Sequence, residues 1–321
     1  MFNRRIFLSG LMGATLLSGA LSSGIAAAAE TPMEFRVGYQ KGSAILVIAK
    51  QRQVFEKRLK EIGVENVKWV EFQFGPPLLE ALGAGAVDIG VVGDTPPIFA
   101  QAAKANLVYI ASTPASASAI LVPKGSAIQS VTDLKGKKVA IAKGSSSHNL
   151  TIQALAKYGL SFKDIEPVYL APADAVAAFS TGRVDAWAIW DPYFAIAENK
   201  HNARVLIDTT DKQLDSNSFY LANRDFAQNH PDVLKAALGE VSSITRWADE
   251  NRDQLAKISS EATGVDVESQ TIASKRYVID LQPISDAVIA KQQGIADTFA
   301  ELGLIPNKIN VREIVWIAPT N

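Results

Sequence analysis

Gly85-Ala86-Val87-Asp88-Ile89-Gly90-Val91-Val92-Gly93-Asp94 returns 97 residues later as Gly182-Arg183-Val184-Asp185-Ala186-Trp187-Ala188-Ile189-Trp190-Asp191. Both copies read Gly-x-Val-Asp, then an apolar run, then a second aspartate. Upstream of each stands the same tripeptide, Lys41-Gly42-Ser43 and Lys143-Gly144-Ser145, at an offset of 102 residues. Each tripeptide falls between an expected strand and an expected helix. A third copy, Lys124-Gly125-Ser126, sits in an expected hairpin or loop, so the tripeptide alone carries little. The ordered pair of motifs carries more: it reads as two similar lobes, and repeats of this kind outrank single-element readings.

Working outward, strands alternate with helices. Strands are expected at 35–39, 67–72 and 87–92, and helices at 44–61, 75–82 and 96–105. Ser43 is placed to cap the first helix, and Pro76 and Pro96 suit the first turns of the next two. Thr113 to Ser118 is small and turn-prone, and is read as the first crossover between lobes. Strands at 120–122, 139–142, 168–170 and 187–189 then alternate with helices at 148–158 and 174–180. The chain is expected to cross back near Ser216-Asn217-Ser218. From Asp232 it reads as mostly helical, ending in a helix over 284–302 that Gly303 terminates. The class is α/β, with sheets covered on both faces.

The chain has 321 residues, 32 Lys+Arg against 33 Asp+Glu, and no cysteine. Near-neutral charge disfavours nucleic acid as a partner. Zero cysteine removes disulfides, thiolate metal sites, iron–sulfur clusters, a cysteine nucleophile and a lipidated N-terminal cysteine. Residues 1–29 read as a cleaved signal peptide: Arg4 and Arg5, an apolar stretch diluted by Gly and Ser, then Ala26-Ala27-Ala28-Ala29. Arg4-Arg5-Ile6-Phe7-Leu8 also matches the twin-arginine export pattern, and both export routes stay open. Removal of the leader leaves 30 basic against 33 acidic residues, a charge near −3.

In open α/β sheets, ligands bind beyond the carboxyl ends of the strands, where helices begin. A helix start offers unpaired N–H groups and the positive end of the dipole, so several converging on one cleft bind a small oxyanion. Gly144-Ser145-Ser146-Ser147-His148-Asn149 is the leading candidate loop; its plain alternative is a helix cap with solvated serines. Asp94 and Asp191 repel an anion. The favoured reading makes each a cap of the following helix; the other gives them lobe closure or an amine on the ligand. Trp187 and Trp190 fall on opposite faces of a strand, and Trp190 is the one placed to line a cleft. Tyr39, Phe219 and Tyr220 lie near other loop ends, where aromatic walls suit an organic tail. No nucleophile-elbow, P-loop or zinc-protease motif is present. His148 and its neighbouring serines lack an orienting acid, so no catalytic residue is assigned.

The residues also carry a family resemblance. Val37-Gly38-Tyr39-Gln40-Lys41-Gly42-Ser43, Trp69-Val70-Glu71-Phe72 with Gly75-Pro76, and Gly93-Asp94-Thr95-Pro96-Pro97-Ile98-Phe99-Ala100-Gln101-Ala102-Ala103 all contribute. Lys143 to Leu150 and Ala186 to Tyr193 complete the match. Over essentially the whole mature chain, the sequence resembles the periplasmic aliphatic sulfonate-binding proteins of ABC importers (the SsuA type). The resemblance implies a type II periplasmic binding-protein fold: two α/β lobes joined by crossover segments, with a ligand cleft between them. Lobe 1 would comprise residues 30–115 plus 220–321, and lobe 2 residues 116–219. It implies a monomeric, non-enzymatic solute-binding protein in the periplasm, without cofactor or metal. Such a protein captures aliphatic sulfonates and delivers them to the permease and ATPase subunits of an importer for sulfur acquisition.

A sulfonate is a weakly basic monoanion with three acceptor oxygens, which neutral donors satisfy. The head group is expected at the helix start of Ser145, Ser146, Ser147 and His148, opposed by Gln40 and the Gly93-Asp94-Thr95 loop. Trp190 is expected on the tail, with Asp191 beside it. Pro114 to Ser118 is richer in Ala and Ser than the family pattern, and bears on tail choice if it faces the cleft. The alternatives are a binder of taurine, nitrate or another small anion, or an enzyme resembling the thiamine-precursor synthases of the same fold. The cysteine-rich iron motif of those enzymes is impossible here.

Overall fold

The computed structural model describes residues 33–319. The leader expected at 1–29 lies outside the described residues. The chain runs β1 (Met33–Tyr39), α1 (Ala44–Arg52), α2 (Val54–Lys60), β2 (Val64–Glu71), α3 (Gly75–Gly83), β3 (Ile89–Val92), α4 (Thr95–Ala102) and β4 (Leu107–Pro114). It continues with β5 (Ser118–Pro123), β6 (Lys138–Ile141), α5 (Ser146–Lys157), β7 (Glu166–Tyr169), α6 (Pro172–Ser180), β8 (Ala186–Trp190), α7 (Tyr193–His201) and β9 (Ala203–Asp208). The last part is β10 (Asn217–Asn223), α8 (Arg224–Asn229), α9 (Pro231–Glu250), α10 (Arg252–Thr263), α11 (Val267–Arg276) and α12 (Asp286–Glu301).

Two five-stranded sheets form, in the orders β2-β1-β3-β10-β4 and β7-β6-β8-β5-β9. They are the same arrangement written twice. β1 pairs parallel with β2 and β3, as β6 does with β7 and β8, and one antiparallel strand joins each sheet next to β3 or β8. That strand is supplied by a crossover: β5 follows β4 directly, and β10 returns to the first sheet after β9. β10 pairs with β4 from Asn217 onward, slightly ahead of the 219/220 boundary read from sequence.

The repeated motif has a physical basis. Gly85 and Gly182 both take φ +70°, the left-handed conformation that ends the preceding helix and that glycine adopts without strain. Val87 and Val184 are buried. Asp88 then accepts the Arg36 N–H at 2.7 Å, and Asp185 accepts the Lys138 N–H at 2.8 Å. Each aspartate, just ahead of β3 or β8, therefore ties that strand to its parallel neighbour, β1 or β6.

Both sheets are covered on two faces. The first packs Phe35, Leu46 and Phe55 on one side and Leu78, Tyr109, Phe219 and Phe299 on the other. The second packs Val139, Leu150 and Leu155 against Phe179, Trp187 and Phe194 across the sheet. Among the described residues no helix is long and apolar enough to cross a membrane.

Three local expectations are corrected. The single helix over 44–61 is two helices, because Gln53 takes a left-handed φ of +54°. Ser43 does not cap α1 with its side chain; its hydroxyl accepts the Gln40 N–H and closes the loop after β1. β4, β9 and β10 were not read from sequence, and the crossover placed at 113–118 shrinks to the residues between β4 and β5.

Candidate functional site

Between the sheets, a cleft opens beyond the carboxyl ends of β1, β3 and β8. Gln40, Gly42 and Ser43 reach it from the loop after β1, Val91 to Gly93 from β3, and Ser145 and Ser146 from the start of α5. Thr113 to Ser116 and Trp190 complete much of the wall, together with Tyr220 and Tyr277. None of these lining residues is charged.

Four helices begin at this wall: α1, α3, α4 and α5. They do not contribute equally. α3 begins Gly75-Pro76-Pro77 and α4 begins Thr95-Pro96-Pro97, so each has lost two first-turn N–H groups to proline. α1 and α5 have no proline there; in α5 the His148 N–H is taken by the Ser145 carbonyl at 2.9 Å, which leaves the N–H groups of Ser146 and Ser147. Donors therefore concentrate at two helix starts, one from each lobe.

The serines divide by their hydrogen bonds. The Ser145 hydroxyl donates to the Ala142 carbonyl at 2.7 Å, so the 2.9 Å contact with Ser147 must be donated by Ser147. Both hydroxyls are thus committed within the loop. Ser147 is buried and does not line the cleft, whereas Ser146 does. Gln40 faces the cleft with its amide nitrogen held by the Val91 carbonyl at 2.9 Å.

Other residues of the expected site lie behind the wall. Asp94 is buried and makes no side-chain cap to α4. Its carboxylate instead accepts the Thr95 hydroxyl at 2.7 Å and the Asn149 amide at 2.6 Å, the latter from the other lobe. Burial pushes its carboxyl above the usual range, against those bonds and one from Ser216. The capping expected of Asp94 is replaced by a bridge between lobes, and Thr95 spends its hydroxyl on that bridge. Asp191 does cap: its Oδ1 accepts the Ala195 N–H at 3.0 Å in the first turn of α7. Burial pushes its carboxyl up to about 7, despite the Arg276 guanidinium 3.6 Å away.

His148 is fully buried among Phe162, Tyr169 and Phe299. Burial, helped by the Lys143 charge, lowers its pKa to about 4, and it does not reach the cleft. Of the aromatics near loop ends, Trp190 and Tyr220 line the cleft, while Tyr39 and Phe219 turn into the core. Residues 219 and 220 alternate along β10, so only one of them can face the ligand. Thr113, Ser218 and Tyr277 were missed. Tyr277 directly follows α11, far along the chain from the repeated motifs, and no local signal marks it.

Contacts across the cleft are close. A Cβ on Gly93 would stand 2.8 Å from the Ser146 Cβ, and one on Gly42 would stand 3.0 Å from the Asp191 carbonyl. Glycine at both places lets the lobes meet backbone to backbone.

The model of the NMT1-like family matches residues 28–260. A protein of Escherichia coli (strain K12), named for binding aliphatic sulfonates, is 46% identical over 307 residues, covering 94% of each chain. A protein of Bacillus subtilis (strain 168) with the same name is 35% identical, covering 94% of this chain and 91% of its own. The structure of the alkanesulfonate-binding protein SsuA from Xanthomonas axonopodis pv. citri, bound to MOPS, superposes with a TM-score of 0.84 at 40% identity, covering 90% of this chain and 99% of that one.

Proposed function

We propose, from the premise that this chain belongs to the NMT1-like family, that it is an extracytoplasmic binding protein for aliphatic sulfonates. It delivers them to the permease and ATPase subunits of an ABC importer, as a source of sulfur. One observation carries the reading: the cleft offers two unobstructed helix starts and an aromatic wall, with no charged side chain in its lining. A monoanion with three acceptor oxygens is satisfied by N–H and hydroxyl donors there, and the absence of a fixed cation favours it over a more highly charged anion. Ser146 and the first-turn N–H groups of α5 face those of α1 across the head group. Gly93 and Ser145 shape the wall, Gln40 sits beside them, and Trp190, Tyr220 and Tyr277 take the tail. Asp94, Thr95, Ser147 and His148 act behind the wall, in closure and packing.

The protein works as a monomer in the periplasm after cleavage of residues 1–29, which N-terminal sequencing of the exported chain tests. Its lobes divide at 115/116, which the sheet membership of β4 and β5 supports, and at a return for which β10 moves the 219/220 boundary forward to Asn217. It binds without turning ligand over, because the loop hydroxyls of Ser145 and Ser147 are committed and His148 lies outside the lining. Calorimetry of the mature protein against alkanesulfonates, taurine and nitrate decides the ligand class. Sulfonates, plain or amine-ended like taurine, are expected to bind more tightly than nitrate; the reverse order would move the assignment to that anion.

A further inference from the structure

A small side chamber opens off the cleft and shares Gly42, Ser116 and Tyr277 with its wall. Asp191 and Ser259 both line it, and they are 6% and 2% exposed. Each carries a buried oxygen with no hydrogen-bond partner, Asp191 Oδ2 and Ser259 Oγ. The other Asp191 oxygen is already used by the Ala195 N–H. Arg276 pairs with Glu198 and lies over the Phe194 ring, and its Nη1 stands 3.6 Å from Asp191 Oδ1, too far for a hydrogen bond, so the two groups leave each other unsatisfied. A carboxylate oxygen buried without a donor is costly, so a site that keeps one beside a ligand cleft is built for a donor that arrives.

We infer that this chamber is a tail subsite, and that the protein selects sulfonates whose tail ends in a hydrogen-bond donor, an amine or a hydroxyl, which Asp191 and Ser259 receive. The inference rests on the sulfonate reading of the cleft and extends it to the far end of the ligand. Leu255, Ala256 and Ala273 give the wall small or apolar surface for a short chain, and Gln270 and Ser274 add further polar groups to it. Lys41 also borders the chamber, so its wall holds one cation and one anion, and a neutral hydroxyl fits as well as an amine.

The test compares amino- and hydroxy-terminated alkanesulfonates of graded length with the plain alkanesulfonate of equal heavy-atom count. Affinities are measured by calorimetry on the mature protein and on Asp191→Asn. The substitution keeps an oxygen for the α7 cap and turns an amide N–H₂ into the chamber. At the length that reaches the chamber, the affinity ratio of donor-ended to plain ligand should fall about 10- to 100-fold in the variant, the range expected for losing a hydrogen bond to a charged group. A ratio unchanged for both kinds of donor overturns the inference, and a fall for the amine alone supports it with the class narrowed to cations. Failure of every sulfonate to bind the native protein would overturn the proposed function and this inference together.

A second measurement needs no variant. Asp191 is faced by Arg276, Glu198, Lys41 and Tyr277, and burial holds its carboxyl at about 7. Raising the pH from about 6 to about 8 ionises it, so the amine-to-plain ratio should rise over that range while the plain ligand alone stays level. Flat ratios for amine and hydroxyl alike would count against Asp191 as the receiving group.

Discussion

A methyl group at Gly93 would stand 2.8 Å from the Ser146 Cβ and 2.9 Å from its Oγ, and the first of these atoms cannot swing away. Gly93→Ala is therefore expected to hold the lobes apart. Sulfonate affinity should drop about tenfold or more, from a contact penalty of roughly 1–3 kcal/mol, while the ligand-free melting temperature changes little. Ser146→Gly removes the colliding Cβ together with one donor hydroxyl, so against that variant alone Gly93→Ala should cost little; a cost as large there as in the native background, read by calorimetry, would mean that Gly93 acts in some other way. The same scale marks where reading a single sequence stops. Asp94 and Asp191 occupy equivalent places in the repeat, yet one bridges to Asn149 of the other lobe and the other caps its own helix. Capping depends on neighbours in the chain and was legible for Asp191. The bridge depends on a partner 55 residues away in sequence, which no local pattern announces.

The first turns of the helices set which backbone donors reach the cleft, and where those helices begin was largely legible. The Pro-Pro pairs after Gly75 and Thr95 mark helix starts poor in donors, and the serine run before α5 marks a rich one. The same logic supplies a clean deletion. Ser146 is the first residue of α5, a position that proline favours, and Ser145 before it has the extended φ −98°, ψ 173° that proline requires of its predecessor. Ser146→Pro should keep the helix while removing one N–H and the one uncommitted hydroxyl of the loop. Affinity for a plain alkanesulfonate is expected to fall about tenfold or more, with the melting temperature of the free protein held; full affinity in this variant would place the head group elsewhere. What stayed illegible among the elements has a different cause. β10 follows a polar loop, and it becomes a strand because two strands from an earlier part of the chain flank it. Gln53 breaks a helix in the left-handed conformation, a role in which glycine or asparagine would have been the visible sign.

At the scale of the molecule, two buried groups link stability to protons with opposite sign. His148, packed on Phe299 of the other lobe, has its pKa lowered from 6.5 to about 4 by burial. Between those values the unfolded chain binds the extra proton, so stability is lost as the pH falls from 6.5 to about 4, by about 3 kcal/mol. Asp191 behaves in reverse. Its carboxyl rises from 3.8 to about 7, the folded chain keeps the proton longer, and stability falls by about 4 kcal/mol as the pH climbs through that window. The two slopes oppose each other over nearly the same range. Removing either group should expose the other. Relative to the native protein, the melting temperature of His148→Phe should gain roughly 5 °C as the pH is lowered from 6.5 to about 4, by a stability change of that size. Asp191→Asn should gain as the pH is raised from 3.8 to about 7. Differences that stay level with pH in both variants would show that neither group is buried in the protonation state described. A sulfonate remains ionised throughout this range, so the stabilisation it brings, RT ln(1 + [L]/Kd), should be nearly constant for a plain alkyl tail. The opposing linkages then leave the stability of the liganded protein almost independent of acidity over this range, which suits a protein proposed to work in a compartment open to the medium.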